Sequence, residues 1–132
     1  MTLFRRPASV ADLNAMSAGT AMQPMGIEFT EIGPDYLRAT MPVDERTRQP
    51  YGLLHGGASV MLAETLGSTA GGMCVDEGEG VVGIEINANH LAGVREVHEA
   101  ARESPPLEDL PQRLGRAVVR VGGRDDVIAR RE

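Results

Sequence analysis

Residues 49–68 read QPYGLLHGGASVMLAETLGS, a loop followed by a helix-forming run that begins at His-Gly-Gly. The free backbone N–H groups at a helix start point outward and carry partial positive charge. Gly56 and Gly57 have no side chains, so they leave this terminus open to a developing oxyanion. Eight residues after Gly56, Glu64 is the first carboxylate on an otherwise apolar helix, and Ser68 follows on the same face. An oxyanion site and a single carboxylate on one element indicate acyl chemistry.

Length and composition limit the fold to one small domain with an aliphatic core. The chain has 132 residues, of which 42% are apolar and only 3% aromatic. This length leaves no room for a second domain. A domain of this size buries a modest share of its surface, so we expect self-association to contribute to its stability.

Charge and cysteine usage narrow the class of protein. The net charge is -6 and all 13 basic residues are arginine, which argues against nucleic acid as the main partner. The single cysteine, Cys74, allows no internal disulfide, as expected in a reducing compartment. Arg5 and Arg6 precede no apolar signal-peptide core, and no apolar run is long enough to span a bilayer. We expect a cytoplasmic protein with no membrane insertion and no cofactor.

Upstream of residues 49–68, the sequence predicts a short helix and a β-hairpin. Ser9, with Asp12 three residues later, forms a capping-box pattern before an apolar run. Residues 25–32 and 36–43 flank a Gly-Pro-Asp turn signal and are typical of two antiparallel strands. In the second strand, apolar residues alternate with others, which predicts one buried face. The residues on that face are Leu37, Ala39 and Met41.

The helix is predicted over residues 56–73, and it is unusually rich in small residues. Glycine inside a helix costs about 1 kcal/mol against alanine, so we expect another element to pack very closely against it. Residues 81–89 give the clearest strand signal, and this strand would deliver His90 to one end of a sheet. Its alternating apolar residues are Val82, Ile84 and Ile86.

Residues 96–132 differ in character from the rest of the chain. They contain no aromatic residue, mix Arg densely with Asp and Glu, and alternate convincingly only at residues 117–121. We expect this tail to be poorly ordered or weakly helical. Two explanations stay open. One is a divergent, helical C-terminus, and the other is a frameshift near Glu96, since shifted reading of a GC-rich gene gives products rich in Arg, Ala, Gly and Pro.

Three segments together resemble hotdog-fold acyl-CoA thioesterases of the phenylacetic-acid-degradation type, especially the 1,4-dihydroxy-2-naphthoyl-CoA hydrolases of menaquinone biosynthesis. The segments are residues 39–44 (ATMPVD), 49–68 and 82–90 (VGIEINANH). The resemblance implies an α+β hotdog domain over residues 1–95, with an antiparallel sheet wrapped around a central helix. It also implies dimers that pair into a homotetramer. Family members continue with two further long strands, which residues 96–132 are predicted to lack.

The resemblance also implies catalytic roles. Glu64 matches the carboxylate that attacks the thioester or activates a water molecule, and Gly56 matches the donor whose N–H polarises the thioester carbonyl. Ser68 matches a helper beside the carboxylate. Gln49 and His55 match side chains that orient the thioester.

Two further residues are predicted to bind substrate. By the same resemblance, His90 matches a residue that lines the substrate or CoA channel, and Gly57 is predicted from its place in the open helix start. In such enzymes the carboxylate comes from the chain opposite the loop and helix start, so a monomer would be inactive. The implied reaction is hydrolysis of an acyl-CoA, with an aromatic acyl group, to the free acid and CoA.

Several simpler interpretations compete with these assignments. Glu64 could simply face solvent, and His55 could only cap the helix. His90 could be an exposed strand-end residue without a function, and Gln49 an exposed loop residue. Cys74 fits a small apolar residue better than a nucleophile. A zinc site formed by His55, Glu64 and His90 is conceivable, but no metal-binding spacing supports it, so no metal is predicted.

The competing functions are a non-catalytic or damaged hotdog dimer that binds CoA poorly, and a hotdog hydratase, which would normally pair Asp with His near the helix start.

Overall fold

The computed structural model describes residues 3–90, 93–95, 116–121 and 127–130, the last two ranges by their backbone. The elements begin with two short helices, α1 (Val10–Ala15) and α2 (Met22–Met25). Two strands and a long helix follow, β1 (Glu28–Ile32), β2 (Leu37–Pro42) and α3 (Gly56–Cys74). Two more strands end the sheet, β3 (Arg116–Val121) and β4 (Val127–Arg130). Within the described residues, no helix is both long and apolar enough to cross a membrane.

The capping box predicted before α1 is present. The Ser9 side chain accepts a hydrogen bond from the backbone N–H of Asp12, and the Asp12 side chain accepts one from the backbone N–H of Ser9. Further along, the Asn14 side chain bonds both backbone groups of Phe29, at 2.8 and 2.9 Å, and so joins α1 to β1. Residue 25, predicted to begin the first strand, instead ends α2, because Gly26 caps that helix with a left-handed φ of 65°.

The predicted hairpin is confirmed. β1 and β2 pair antiparallel, with Phe29 opposite Ala39, and the backbone N–H of Gly33 donates to the carbonyl of Tyr36 across the turn. The predicted buried face is also correct, since Leu37, Ala39 and Met41 are fully buried. The sheet order is β1-β2-β3-β4, antiparallel throughout. The expected α+β hotdog architecture, an antiparallel sheet against one long helix, is present.

Helix α3 packs its aliphatic side chains into the core formed with β1 and β2. The prediction of close approach to its small residues holds at Gly71, where an added Cβ would lie 3.0 Å from Val81 Cγ2. At Gly67 and Gly72, by contrast, an added Cβ would meet no described atom within 4 Å. The buried helix residues are Ala58, Ser59, Leu62, Ala63, Leu66 and Met73.

The strand predicted over residues 81–89 is wrong for this chain, because no part of that segment forms a strand. The segment is extended along α3, with Val81 against Gly71 at one end and His90 against Gly56 at the other. Val82 and Ile84 are 86% and 98% exposed. The apolar alternation is real, but no other described segment of this chain pairs with its backbone, and a strand requires such a partner.

The tail prediction needs a second correction. Residues 116–121 pair with the whole of β2, from Leu37 opposite Val121 to Pro42 opposite Arg116. Residues 127–130 then pair with β3. Two strands therefore lie in a segment expected to be poorly ordered or weakly helical and to lack the last strands of the sheet. Residues 96–115 lie outside the described residues, as do 122–126, so the expectation of poor order or weak helicity is untested there.

Candidate active site

The loop before α3 is held by buried polar contacts. Thr47, 1% exposed, donates its hydroxyl to the carbonyl of Pro42 at 2.6 Å. Its own carbonyl accepts the backbone N–H of His55 at 2.8 Å, which fixes where the helix begins. Arg46 bonds Asp44 in the same loop and holds the pKa of that carboxyl below its usual value. The loop that delivers His55 is therefore anchored on β2.

His55 is the N-cap of α3. Its Nδ1 accepts the backbone N–H of Gly57 at 2.9 Å. Because this nitrogen acts as the acceptor, a neutral His55 ring carries its proton on Nε2. The ring is exposed, so Nε2–H is available as a donor to a bound carbonyl. His55 does cap the helix, as the simpler interpretation holds, and its Nε2–H is still available as a donor.

Among the residues that the structure describes, one backbone donor at the helix start has no hydrogen-bond partner. The N–H of Gly57 is engaged by His55, and those of Ala58 and Ser59 both donate to the His55 carbonyl, at 3.0 and 3.2 Å. None of the described residues accepts a hydrogen bond from the Gly56 N–H. The residue predicted as the oxyanion donor is thus the one whose N–H is unused.

His90 lies directly over this helix start. An added Cβ on Gly56 would come within 3.2 Å of His90 Cε1, so the ring packs where Gly56 has no side chain. His90 Nε2 lies 2.7 Å from Ser59 Oγ, and that hydroxyl donates to the Gly56 carbonyl, also at 2.7 Å. Sequence reasoning missed Ser59, a buried residue. Its position three residues after Gly56, one turn along the helix, was the available signal.

Glu64 and Ser68 form a second group further along α3. Ser68 Oγ donates to Glu64 Oε1 at 2.9 Å, which confirms that the two side chains share a face. Glu64 is half-buried and lies in a cleft of about 410 Å³. The cleft is lined mainly by apolar side chains of α3 and of the extended segment, Val60, Met61, Ile84 and Ile86.

Gln49 and Cys74 are placed apart from both groups. The side-chain oxygen of Gln49 accepts the backbone N–H of Tyr51, so it is engaged within its own loop. Cys74 is a half-buried free thiol at the end of α3. The side chains considered for a zinc site were those of His55, Glu64 and His90. The described residues contain no group of three possible metal ligands.

Comparison with known proteins gives consistent matches. Residues 51–99 match the family model described as Thioesterase superfamily. The 1,4-dihydroxy-2-naphthoyl-CoA hydrolase of Escherichia coli is 53% identical over 94 residues, 71% of this chain and 69% of that protein. The proofreading thioesterase EntH of Cronobacter turicensis is 54% identical over 92 residues, 70% of this chain and 67% of that protein. A solved thioesterase from Haemophilus influenzae has a TM-score of 0.77 and 40% identity, covering 95% of this chain and 75% of that one.

Proposed function

This chain belongs to the thioesterase superfamily and is a thioester hydrolase, and from that premise we propose that it cleaves an aromatic acyl-CoA to the free acid and CoA. The observation that carries the proposal is the N–H of Gly56 at the start of a 19-residue helix, which has no acceptor in the described part of the chain. A backbone donor at this position stabilises negative charge that develops on the thioester oxygen. His55 Nε2–H is a second donor beside it.

Glu64 supplies the base or the nucleophile. In one route a carboxylate oxygen attacks the thioester carbon and expels the CoA thiolate, and water then hydrolyses the resulting anhydride. In the other route the carboxylate takes a proton from the attacking water. Ser68 supports either route, because its hydrogen bond orients one carboxylate oxygen.

We propose that the two groups acting on one carbonyl come from different chains. Within a chain, the Cα atoms of Gly56 and Glu64 are separated by about 12 Å along the helix axis, which supports this division. We therefore assign the loop and helix start of one copy and the Glu64 group of a second copy to each active site. Gln49 belongs to the first set, although its side chain bonds Tyr51 in the isolated chain.

The extended segment supports such pairing. Val82 and Ile84 are exposed apolar residues on a backbone that has no strand partner among the described residues. A second copy of the same segment would pair with this backbone and cover both side chains. The pairing would place the partner next to Glu64, because the same segment lines the Glu64 cleft. A homotetramer would be a pair of such dimers.

The acyl group is assigned from the relatives and from the cleft. The E. coli relative is named for an aromatic acyl-CoA, and the cleft beside Glu64 is walled by aliphatic and methionine side chains. Such walls accept a planar ring without a polar partner. We further propose that the reaction takes place in the cytoplasm as a step of menaquinone biosynthesis.

The test compares Glu64→Gln with the unchanged protein on benzoyl-CoA and on a straight-chain acyl-CoA. Replacing the carboxylate is expected to remove nearly all hydrolysis, with the size-exclusion profile unchanged. Turnover that survives in Glu64→Gln would contradict the role of Glu64. A folded dimer that is inert toward every acyl-CoA before mutation would favour the alternative, a non-catalytic hotdog dimer. Faster hydrolysis of the straight-chain acyl-CoA than of benzoyl-CoA would contradict only the proposal of an aromatic acyl group.

A further inference from the structure

Gly83, in the extended segment, makes the closest approach to the Glu64 carboxylate. A Cβ built on Gly83 would overlap Glu64 Oε1 and would lie 3.0 Å from its Cδ and 3.2 Å from Oε2. The backbone of Gly83 therefore faces the whole carboxylate group. Ser68 donates to the same Oε1 from α3. The carboxylate therefore lies between the Ser68 hydroxyl on α3 and the Gly83 Cα on the extended segment.

Neither the backbone nor the fold requires glycine at this position. The φ of Gly83 lies outside the left-handed region, so an alanine could adopt the same conformation. The atoms that an added methyl would meet belong to the end of a flexible side chain, which can turn away at little cost. What the methyl would change is where the carboxylate lies.

We propose that Gly83 is a positioning residue for Glu64, because the absence of a side chain lets the carboxylate lie against the backbone within reach of Ser68. The proposal rests on the proposed function, in which Glu64 reacts with the thioester or its water. It adds a specific requirement: residue 83 must be glycine for the carboxylate to occupy the reactive position.

The expected effect falls on turnover rather than on substrate binding. A methyl at residue 83 forces the carboxylate oxygen away from its place and from the Ser68 hydroxyl. A displacement of about 1 Å in a reacting group costs up to about 100-fold in rate. We expect kcat of Gly83→Ala to fall about 10- to 100-fold with KM changed less than about 2-fold.

Gly80→Ala is the matched control. Gly80 directly precedes the extended segment, its φ also lies outside the left-handed region, and a Cβ there would meet no described atom within 4 Å. Its kcat and thermal unfolding should equal those of the unchanged protein. A Gly83→Ala variant that matches Gly80→Ala in kcat would overturn the proposal, and so would a kcat loss accompanied by loss of the dimer.

A double-variant cycle separates positioning from a structural effect. Glu64→Asp withdraws the carboxylate by one methylene, so the methyl of Gly83→Ala no longer meets it. Adding Gly83→Ala to Glu64→Asp should then cost much less than adding it to the unchanged protein. Equal costs in both backgrounds would contradict the proposal. If Glu64→Gln is fully active, the proposed function itself fails, whereas an inactive Glu64→Gln beside an unaffected Gly83→Ala rejects only the role of Gly83.

Discussion

His90 Nε2 lies 2.7 Å from Ser59 Oγ, and the hydroxyl of Ser59 donates to the carbonyl of Gly56. A hydroxyl has one hydrogen, so with that hydrogen on the Gly56 carbonyl, the His90 Nε2 must carry the proton of its own bond. A neutral His90 therefore keeps Nδ1 as its acceptor. One buried serine thus sets both the position and the tautomer of the histidine over the helix start.

Replacing Ser59 by Ala should weaken hydrolysis through His90. Losing one neutral hydrogen bond costs about 0.5–1.5 kcal/mol, so kcat/KM should fall about 2- to 10-fold. The measurement is a four-member cycle of Ser59→Ala, His90→Ala, their double variant and the unchanged protein. If Ser59 acts through the histidine, adding Ser59→Ala to His90→Ala should cost almost nothing further. Independent, multiplicative losses would show that the serine does not act through His90.

Gly56→Pro should remove the oxyanion donor while keeping the helix. Residue 56 is the first helical position, where proline is well tolerated, and His55 has the extended ψ of 130° that a following proline prefers. Removing one such donor costs roughly 3–4 kcal/mol of transition-state stabilisation, or about 100- to 1000-fold in kcat.

The control for this change is Gly56→Ala, which keeps the N–H but adds the Cβ that Gly56→Pro also places against His90. The difference in kcat between the two variants measures the effect of the lost N–H separately from the effect of the Cβ added against His90. Equal kcat values would exclude Gly56 as the oxyanion donor.

Two inactive variants should restore activity when mixed. Glu64→Gln damages one half of each site and His55→Ala the other. In a mixed dimer one site receives both lesions and the other receives neither. With random exchange half of the dimers are mixed, so recovery of about one quarter of the wild-type rate is expected. The assay is benzoyl-CoA hydrolysis before and after mild unfolding and refolding of the mixture. A mixture no more active than either component alone would place both groups in one chain.

The Asp44–Arg46 pair should make stability depend on pH. Arg46 holds the pKa of Asp44 below its usual value of 3.8, so the ionised carboxyl stabilises the folded chain. A lowered pKa means that this contribution is present above pH 3.8 and is lost as the pH falls through the lower, folded-state pKa. Arg46→Met should reduce the urea midpoint at pH 7 and should have progressively less effect in the acid range. In an Asp44→Asn background, the same substitution should have an effect that does not vary with pH over this range.

Much of the site could be predicted because its signals are local in sequence. The N-cap, the His-Gly-Gly start and the Glu64–Ser68 pair all follow from helical spacing within α3. The contacts of Ser59 and Gly83 could not be read in this way. Each depends on where the segment 81–90 crosses the helix, and only tertiary structure fixes that crossing.

The two errors in the fold also have physical causes. Residues 81–89 have the apolar alternation of a strand, but pairing needs a second backbone, and none of the described chain supplies one. β4 is only four residues long and adjoins several arginines, so its propensity is weak, and its pairing with β3 is what defines it. The frameshift near Glu96 remains a hypothesis. Sequencing the gene would reject it if the shifted frame lacked strand-like alternation.

The exposed edge at Val82 and Ile84 has a consequence for the newly made chain. The single chain presents apolar side chains there beside backbone groups that have no strand partner among the described residues, and such a surface can template amyloid-like stacking. In the proposed dimer, assembly and aggregation compete for the same extended segment. Conditions that separate the copies at a fixed protein concentration should therefore increase the loss of protein to insoluble material.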